Sequence, residues 1–486
     1  SWLQWLKTSQ TINLYAYKIL TLYTQNMKEN ILFKRASKNL IKLTDLIQST
    51  IKGTVFENKV CYVGGCIRDL ILGIEPKNID IAVNKENGGL ELAYFLLSRL
   101  GIDAKNNVEV ISSQYGARIE ITNDDDLKDF EIRMTQTCNS RYLNEDREPS
   151  KIFGTFVEDA LRRDFTINAL YWNISQEALY DFTKRGLDDL KNRIIRCTSC
   201  PSVIFAEDPS RIIRGVRFAN EKGWGIESET WLGMIENTPK LGSIDFCDEF
   251  IEVLLLKNPT VAMKKLYYCG ALEYVVPDVY DMCSSLDADG VSLYDKTLKV
   301  MESTTVNLIS RLAALFHNVD KVLNMSNPNF AADVAKDDVK YLGFSVKTAN
   351  SVSQTIRNYK RFDNYGVGVM PTDRIMRRFI NNCGDCVYTV VDLMNASYMH
   401  DDKADKKKPM MVLKKVEELK KMEEEKASKS KLPINGKDIM KEFKLKKGPH
   451  IGILLDVVKD AFFENPKISK DECFNLVRDK IHTMSV

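Results

Sequence analysis

The stretch Gly64-Gly65-Cys66-Ile67-Arg68-Asp69 follows a short apolar run, Lys59–Val63, and precedes a segment with helical spacing. Paired glycines let the backbone approach a phosphate closely, because they carry no side chain and tolerate positive φ. The helix that begins behind them offers free N–H groups and a partial positive charge. Arg68 can bind two phosphate oxygens at once. We therefore predict a strand–turn–helix unit that binds a triphosphate through Gly64, Gly65 and Arg68.

A second strand is predicted over Ile79–Val83, and candidate metal ligands lie at its beginning. Asn78 and Asp80 are two positions apart, so on a strand both side chains point to the same face. Glu131, in the predicted strand Phe130–Met134, is the candidate third acid. Phosphoryl transfer to an RNA hydroxyl needs two divalent ions, one at the attacking oxygen and one at the leaving pyrophosphate. We predict a catalytic site for two Mg²⁺ ions, with Asn78 and Asp80 as metal ligands and Glu131 beside them.

Further motifs follow in order along the chain. They are Gly154-Thr155, Glu158–Leu170, Asp181–Leu190 and Glu207–Ala219. Together with the first stretch, they resemble the class II nucleotidyltransferases, which comprise tRNA CCA-adding enzymes and bacterial poly(A) polymerases. Leu432–Phe443 resembles the C-terminal segment of the eukaryotic members. The resemblance implies an α+β fold, in which a nucleotidyltransferase (polymerase-β-like) head with a small mixed sheet is followed by an all-helical neck, body and tail.

The distribution of apolar residues agrees with that organisation. Strand and helix patterns are mixed up to about Leu190, including a predicted strand at Arg118–Thr122. After about Phe205 the spacing is helical, as in Arg211–Asn220, Thr304–Phe316 and Ile451–Phe463. The predicted domains are an N-terminal extension over 1–45, a head over 46–190, a neck over 191–255, a body over 256–430 and a tail over 431–486.

The pair Asp208 and Arg211 suggests how such an enzyme selects its bases. Cytosine and adenine both present an amino group beside an unprotonated ring nitrogen, whereas uracil and guanine present a carbonyl beside a ring N–H. A carboxylate and an arginine three positions apart on one helix reach the same edge and fit only the first pair. A mismatched base leaves buried polar groups unpaired at about 1–3 kcal/mol each. The alternative interpretation is a plain surface ion pair.

The resemblance assigns nucleotide contacts to further residues of these motifs. It implies that Arg162, Arg163 and Asp164 sense the ribose hydroxyl and the triphosphate, with Asn168 in the same motif. Arg214 and Arg217 continue the helical face of Arg211, and we predict that they meet phosphate or stack near the base. The alternative for the group at 162–164 is a charged helix N-terminus.

One position departs from the family pattern. The resemblance implies aspartate at the position of Asn78, and an asparagine offers a metal ion one neutral oxygen in place of a charge. Three explanations stay open: an engineered inactivation, a natural degenerate enzyme that still binds tRNA, and a site in which another acid compensates. Asp69, Glu75 and Asp103 are nearby in sequence. The preserved remainder of the nucleotide site favours a recent or deliberate alteration.

Composition sets wider limits. The 486 residues carry a net charge of +2, so bulk charge does not indicate a nucleic-acid partner. The chain has eleven cysteines, and they do not form the closely spaced pattern of a disulfide framework. This suggests free thiols in an intracellular compartment. The two Cys-x-x-Cys pairs have no nearby histidine, which argues against zinc. No apolar run suggests a membrane span. Residues 1–26 contain lysines and no acid, which is compatible with a mitochondrial leader or a helical extension; a cytoplasmic-nuclear location is equally open.

The predicted function is transfer of CMP and AMP from CTP and ATP to the 3′ end of tRNA, with tRNA and nucleoside triphosphates as partners. A poly(A) polymerase or A-only enzyme is the first alternative, and Arg147–Pro149 resembles a loop that favours full CCA addition. A catalytically inactive RNA-binding protein is the alternative of another class. Oligomeric state is left open. His317-Asn318 is predicted to be part of a core helix and not a hydrolase site. The candidate RNA contacts of the tail are Lys437, Lys441, Lys444, Lys446 and Lys447.

Overall fold

The structure is a computed structural model that describes residues 36–486, except for 112–115, 142–149, 288–289, 324–327, 430–431, 447, 466–467 and 485–486. The leader predicted over residues 1–26, the loop at Arg147–Pro149 and Lys447 lie outside the described residues. The chain divides into two compact units, one ending at Arg357 and one running from Asn358 to Val486. This division falls inside the predicted body, and the domain boundaries given above stay predictions.

The strands lie in the first unit. They are β1 (Val60–Val63), β2 (Asn78–Val83), β3 (Val108–Ile111), β4 (Gly116–Ile119), β5 (Glu131–Gln136), β6 (Cys138–Arg141), β7 (Ser150–Phe153), β8 (Leu170–Asn173), β9 (Ala178–Asp181), β10 (Ile194–Ile195) and β11 (Gly225–Ile226). A seven-stranded sheet has the order β3-β4-β5-β2-β1-β8-β9, while β6 pairs with β7 and β10 with β11. Strand β2 is parallel to β5 and antiparallel to β1, so the sheet is mixed, as predicted.

One face of the sheet positions Asp80. The apolar side chains Cys61, Val63, Ala82 and Tyr171 form a buried cluster there with two alanines from neighbouring segments. Val63 and Asp80 are Cα partners across β1 and β2, so their side chains share this face. Asn78, two residues before Asp80, is exposed. Asp80 therefore lies where the apolar face opens to solvent.

The helices up to the boundary of the first unit surround and extend this sheet. They are α1 (Lys38–Ile51), α2 (Gly65–Leu72), α3 (Gly88–Arg99), α4 (Ala104–Asn107), α5 (Phe156–Leu161), α6 (Gly186–Asn192), α7 (Pro201–Glu207), α8 (Ser210–Lys222), α9 (Ser228–Asn237), α10 (Cys247–Leu254), α11 (Pro259–Tyr268), α12 (Leu272–Val275), α13 (Pro277–Tyr280), α14 (Leu293–Ser303), α15 (Leu308–Phe316), α16 (Pro328–Tyr341) and α17 (Val346–Asn358). Single 3₁₀ turns occur at Thr166–Asn168, Thr238–Ser243, Asp281–Ser284 and Val319–Leu323.

The second unit is helical in its described residues. Its helices are α18 (Asp373–Cys383), α19 (Val387–Met399), α20 (Lys408–Lys429), α21 (Gly436–Glu442), α22 (Pro449–Glu464) and α23 (Lys470–Met484), with a 3₁₀ turn at Gly384–Cys386. The last three helices bury a common core that includes Ile439, Leu454, Val458 and Val477. The helical spacing predicted over Ile451–Phe463 is confirmed by α22.

Several local predictions need correction. The helix predicted over Thr304–Phe316 begins only at Leu308, because the Asn307 side chain accepts hydrogen bonds from the N–H groups of Ile309 and Ser310 at 3.0 and 3.2 Å. Strand β11 lies beyond the point where strand signals were expected to end. Strands β8 and β9 were not predicted, since a short run that is apolar throughout, such as Leu170–Asn173, has no distinguishing period.

Other sequence predictions are confirmed. All eleven cysteines are free, and Cys61 and Cys66 are buried as expected. His317 is buried at the end of α15, where its Nδ1 lies 2.6 Å from the Ala314 carbonyl oxygen. No helix in the described part of the chain combines the length and hydrophobicity that a membrane crossing requires.

Candidate active site

The turn between β1 and α2 brings three predicted residues together at Gly64. This glycine has φ +74°, a left-handed conformation that side chains disfavour. A Cβ atom there would lie 3.5 Å from Asp80 Oδ2 and 3.7 Å from Arg163 Nη1. The glycine therefore keeps open a small space whose walls carry one carboxylate and one guanidinium, at the N-terminal end of α2.

Arg68 lies inside the protein, which differs from the phosphate-binding role expected for it. Its guanidinium donates from Nε and Nη2 to the two Asp69 oxygens, both at 2.9 Å, and from Nη1 to Asn168 Oδ1 at 2.7 Å. The residue is only 7% exposed. In this arrangement Arg68 joins helix α2 to the Thr166–Asn168 turn. Its role in the structure is to hold these two segments together beside the site.

Asn78, Asp80 and Glu131 lie on one face of the sheet, as the sequence predicted. Asn78 and Glu131 are Cα partners in the parallel pair of β2 and β5. The Glu131 carboxylate is already engaged, because Oε1 lies 3.0 Å from Arg118 Nη2 and 3.1 Å from Arg133 Nη2. In the described structure no arginine lies within ion-pair distance of the Asp80 carboxylate. By contrast, two arginines bind Glu131, and Asn78 carries no charge.

The electrostatic environment of Asp80 is that of a partly desolvated acid. Burial raises its pKa, and the positive charges of Arg163 and Arg133 oppose that rise without cancelling it. Glu131 adds to the rise through like-charge repulsion. The nearby arginines only partly compensate the negative charge of Asp80, so this carboxylate would stabilise a cation placed beside it.

The three other acids considered as substitutes for position 78 have partners elsewhere. Asp69 holds Arg68, as described above. Glu75 accepts hydrogen bonds from the backbone and side chain of Ser37 at 3.2 and 2.5 Å. Asp103 caps α4 through the Lys105 N–H at 3.1 Å. These contacts explain their positions structurally, and none of them brings a carboxylate to Asp80.

Arg162 and Arg163 lie at the C-terminal end of α5 and not at a helix N-terminus. Both bind Asp159, which is 1% exposed, with Nη2 atoms at 2.6 and 2.9 Å from its oxygens. Tyr171 Oη also donates to Asp159 at 2.6 Å. Burial alone would raise the pKa of Asp159, but the charges of Arg163 and Arg162 outweigh it and hold that pKa below its usual range. Asp159 thus fixes two arginines at the mouth of the site.

Asp164 and Asn168 connect this region to helix α8. Asn168 Nδ2 donates to Asp164 Oδ1 at 3.2 Å, and Arg214 Nη1 lies 3.3 Å from Asp164 Oδ2. Burial would raise the pKa of Asp164, but the charges of Arg214 and Arg211 lower it. The buried Asp164 therefore stays ionised and holds helix α8 through Arg214.

Asp208 and Arg211 lie close together, with one correction to the predicted geometry. Asp208 is not on the helix of Arg211; it occupies the junction between α7 and α8. Its Oδ1 accepts from the N–H and hydroxyl of Ser210 at 3.0 and 2.5 Å, while Oδ2 lies 3.8 Å from Arg211 Nε. Arg211 Nη1 is held by the Ile204 carbonyl oxygen at 3.2 Å and by the Glu207 carboxylate at 3.4 Å. Each member of the pair is thus held mainly by other residues, and the contact between Asp208 and Arg211 is long.

Sequence reasoning missed Glu249, on α10. Its two oxygens accept from Arg214 Nε at 2.6 Å and from Arg217 Nε at 2.9 Å. The guanidinium of Arg217 also lies over the Phe218 ring, 4.5 Å from its centroid, and that of Arg68 lies 5.1 Å from the same centroid. The two arginines predicted to contact the nucleotide are therefore oriented by a carboxylate outside the motifs, for which the sequence carries no local signal.

The tail lysines are solvent-facing. Lys437 and Lys441 lie on α21, and Lys444 and Lys446 follow it; all four are exposed. Their surroundings neither bury them nor pair them in the way a preformed site would, so their RNA contact stays a prediction.

The sheet face around Asp80 presents two oxygen donors, a carboxylate and an amide. Among the described residues, no three His, Cys, Asp or Glu side chains are grouped to hold an ion. Asp80 nevertheless provides a partly balanced carboxylate, and Asn78 an exposed amide oxygen on the same face, which are donors of the type Mg²⁺ takes. These two donors fit a magnesium ion. They supply one negative charge, from Asp80, whereas two acids at positions 78 and 80 would supply two.

Known proteins share both the sequence and the fold of this region. A tRNA nucleotidyltransferase, cca1, of Schizosaccharomyces pombe is 34% identical over 182 residues, which are 37% of this chain and 36% of that protein. The chain thus spans about a third of that relative's length. A second one from the same yeast, cca2, is 27% identical over 64% of this chain and 70% of its own length.

The same comparison extends to solved structures. The CCA-adding enzyme of Thermotoga maritima, determined in complex with tRNA, superposes with a TM-score of 0.56 over 92% of this chain and 97% of that one, at 17% identity. At that identity the likeness establishes the fold. Residues 60–196 match the poly A polymerase head domain. This part of the chain, with the turn at Gly64 and the acids of β2 and β5, is therefore similar to that head domain.

Proposed function

We propose that the chain is a template-independent RNA nucleotidyltransferase that transfers CMP and AMP from CTP and ATP to the 3′ end of tRNA. The observation that carries the proposal is the arrangement of Asp208 and Arg211. A carboxylate oxygen and a guanidinium lie side by side, 3.8 Å apart, and each is held by separate backbone contacts. Its relatives among tRNA nucleotidyltransferases, reported above, support the same activity.

The pair reads the edge of the incoming base. Asp208 Oδ2 accepts from the exocyclic amino group of cytosine or adenine, and Arg211 donates to the neighbouring ring nitrogen. Uracil and guanine present an oxygen to the carboxylate and an N–H to the arginine, so two groups that the bound base covers would lose their partners at about 1–3 kcal/mol each. One protein surface thus serves both nucleotides and needs no nucleic-acid template.

Neighbouring residues position the triphosphate. The open space at Gly64 admits a phosphate next to the first N–H groups of α2. Arg163, fixed by Asp159, provides a positive charge at that space. Arg68 holds α2 against Asn168 and so keeps the phosphate turn in register with Asp164 and helix α8. Asp159 and Asn168 hold these arginines in place, so little of the binding energy is used to order them.

Asp80, with Asn78 beside it, would hold Mg²⁺. When bound, Mg²⁺ would supply positive charge to the triphosphate and ease loss of the proton from the RNA 3′-hydroxyl. The use of two ions is part of the proposal, and Glu131 would act on them only if Arg118 and Arg133 released it. With asparagine at 78 we expect weak metal binding and a reduced rate.

Asn78 is also the observation that favours a second candidate, an RNA-binding protein of this fold without chemistry. A poly(A) or A-only polymerase is the alternative within the family, since its head domain is of the same type. In every case the RNA partner would be held by contacts between its phosphates and the tail lysines, and such binding weakens as the salt concentration rises. The location proposed is intracellular, in mitochondria or in the cytoplasm and nucleus.

The test is nucleotide addition to a tRNA transcript that ends at its discriminator base. The full chain is incubated with Mg²⁺ and each labelled triphosphate alone and in combination, and a transcript that already ends in CCA serves as the control. Ordered addition of C, C and A, with no use of UTP or GTP, is the expected result. Addition of A alone would replace the proposal by the A-only enzyme. RNA binding without any addition would leave the non-catalytic protein.

A further inference from the structure

A cavity of about 510 Å³ lies at the far end of helix α8 from the base-selecting pair. The last residues of α8 and those just after it, the segment after α10 and the first two turns of α11 line it. Its inner wall is apolar and includes Trp224 and Leu256, and its rim carries Asn220, Lys257 and Lys265. Ligand-binding pockets in proteins have volumes of about 300–1,000 Å³, so the space suffices for one nucleotide unit.

The charges of the rim are uneven. Within the part of the chain that the structure describes, neither Lys257 nor Lys265 has an ion-pair or hydrogen-bond partner for its amine. The acid of the rim, Glu221, is already neutralised, since its oxygens lie 3.3 Å from Arg217 Nη1 and 3.5 Å from Lys222 Nζ. By contrast Lys264, next to Lys265 in sequence, is paired with Asp295 at 2.8 Å. The cavity therefore has a net positive rim that attracts an anion.

The rim is also held in shape. Asn220 Nδ2 donates to the Asn258 carbonyl at 2.9 Å and so joins the end of α8 to the start of α11. Trp224 is 7% exposed and packs into the wall. An apolar wall with an aromatic ring under a positive rim suits a group that has one flat apolar part and one phosphate, which is the pattern of a nucleotide in a single strand.

The distance to the selecting pair indicates which partner of the reaction reaches the cavity. Asn220 follows Arg211 by nine positions on α8, which at 1.5 Å per residue is about 14 Å. The phosphates of the incoming nucleotide are directed to the Gly64 turn, so the remaining phosphate-bearing partner is the RNA strand. That strand must bring its 3′-hydroxyl to the same site, and its preceding phosphates pass nearby.

We propose that this cavity is a subsite for a phosphodiester of the RNA substrate, bound by Lys257 and Lys265 with the adjoining base or sugar against the Trp224 wall. This inference rests on the proposed RNA nucleotidyl transfer. It assigns the two lysines to the RNA strand and not to the triphosphate. Their contribution is electrostatic and independent of sequence, as befits an enzyme that accepts many RNAs.

The test compares a double variant, Lys257→Ala with Lys265→Ala, with the matched control Lys264→Ala on the same helix. Affinity for a tRNA transcript without its CCA end is measured from about 50 to about 300 mM KCl, and CTP affinity by equilibrium dialysis. Each lost phosphate contact removes about 0.7–0.9 from the slope of log affinity against log salt. The proposed subsite binds one phosphate, so we expect a slope smaller by about 0.7–0.9 in the double variant. The control and the Lys→Arg double variant should keep the full slope.

Two results would overturn the subsite. An unchanged RNA slope in the double variant means that no phosphate is bound there. Weaker CTP binding with unchanged RNA binding assigns the cavity to a free nucleotide. Failure of the unaltered chain to bind the transcript at all would instead reject the proposed function. The measurements are of binding, so they do not depend on the rate that Asn78 permits.

Discussion

Asn78 and Glu131 are Cα partners in the parallel pair of β2 and β5, so an amide and a carboxylate lie next to each other on the face that carries Asp80. The neighbouring carboxylate does not replace the one that the family resemblance implies at position 78, because Arg118 and Arg133 both bind it. The site is therefore one negative charge short where a metal ion is expected.

Asn78→Asp restores that charge. We expect Mg²⁺-dependent nucleotide addition to rise by at least about 100-fold, since loss of charge from a metal site is worth several kcal/mol of transition-state stabilisation. The matched control is Asn364→Asp, an exposed asparagine of the second unit, which adds the same charge away from the site. Single-turnover rates with CTP measure the effect. Equal rates for the chain and its Asn78→Asp variant would show that position 78 does not limit catalysis.

Asp80→Asn should separate activity from stability. The pKa of Asp80 is raised above its ordinary 3.8 by burial, so the folded protein binds its proton more tightly than the unfolded chain does. The stability contributed by this group is full below pH 3.8 and is lost as the pH rises through the folded-state pKa. The variant has no charge at this position, so it does not lose stability as the pH rises. Arg163 keeps its ion pair with Asp159, and Arg133 keeps its ion pair with Glu131.

We therefore expect Asp80→Asn to abolish nucleotide addition and to raise the free energy of unfolding at pH 7. The gain should disappear near pH 4, where the acid in the unaltered chain binds its proton. Urea unfolding at the two pH values measures the difference. A variant less stable than the unaltered chain at pH 7 would contradict the unfavourable charge assigned to Asp80.

Asp208→Asn should relax base selection. The amide places an N–H where the carboxylate oxygen accepted the amino group, so CTP and ATP lose one hydrogen bond and UTP becomes tolerated. The preference for CTP over UTP should fall by about 10- to 100-fold, which corresponds to about 1–3 kcal/mol. Glu229→Gln, an exposed acid on α9, is the control. Unchanged selectivity would limit Asp208 to capping the Ser210 N–H.

Glu249→Gln should disturb the two arginines of α8. The amide retains one acceptor oxygen but loses the charge that holds Arg214 and Arg217, and hydrogen bonds to charged groups contribute about 1.5–3 kcal/mol each. We expect a lower Tm and at least a tenfold loss of CTP affinity. Glu252→Gln, an exposed acid on the same helix, should change neither quantity. A normal CTP affinity would show that Arg214 and Arg217 are placed without Glu249.

The Gly64 turn and strands β1, β2 and β5 of the head were predictable from local signals, whereas β8 and β9 were not. The paired glycines, the alternation around Asp80 and the helical spacing of α8 are set by residues close in sequence, and these elements occur where they were expected. The residue types and spacing of Asp208 and Arg211 likewise predicted a base-selecting pair, but the junction between α7 and α8 that separates them was not predicted. Helix boundaries were less well predicted, as at Leu308, because the capping side chain of Asn307, and not the apolar periodicity, decides where that helix begins.

The sequence by itself determined which side chains are candidates for catalysis and selection: the Gly64 turn, Asp80, the uncharged Asn78, and the Asp208–Arg211 pair. Only the tertiary structure decided what each of them meets. It placed β2 beside β5 and so Asn78 beside Glu131, buried Arg68 against Asn168, and brought Glu249 to Arg214 and Arg217. Such partners lie far apart along the chain, and packing of the sheet and helices, which no local period records, selects them.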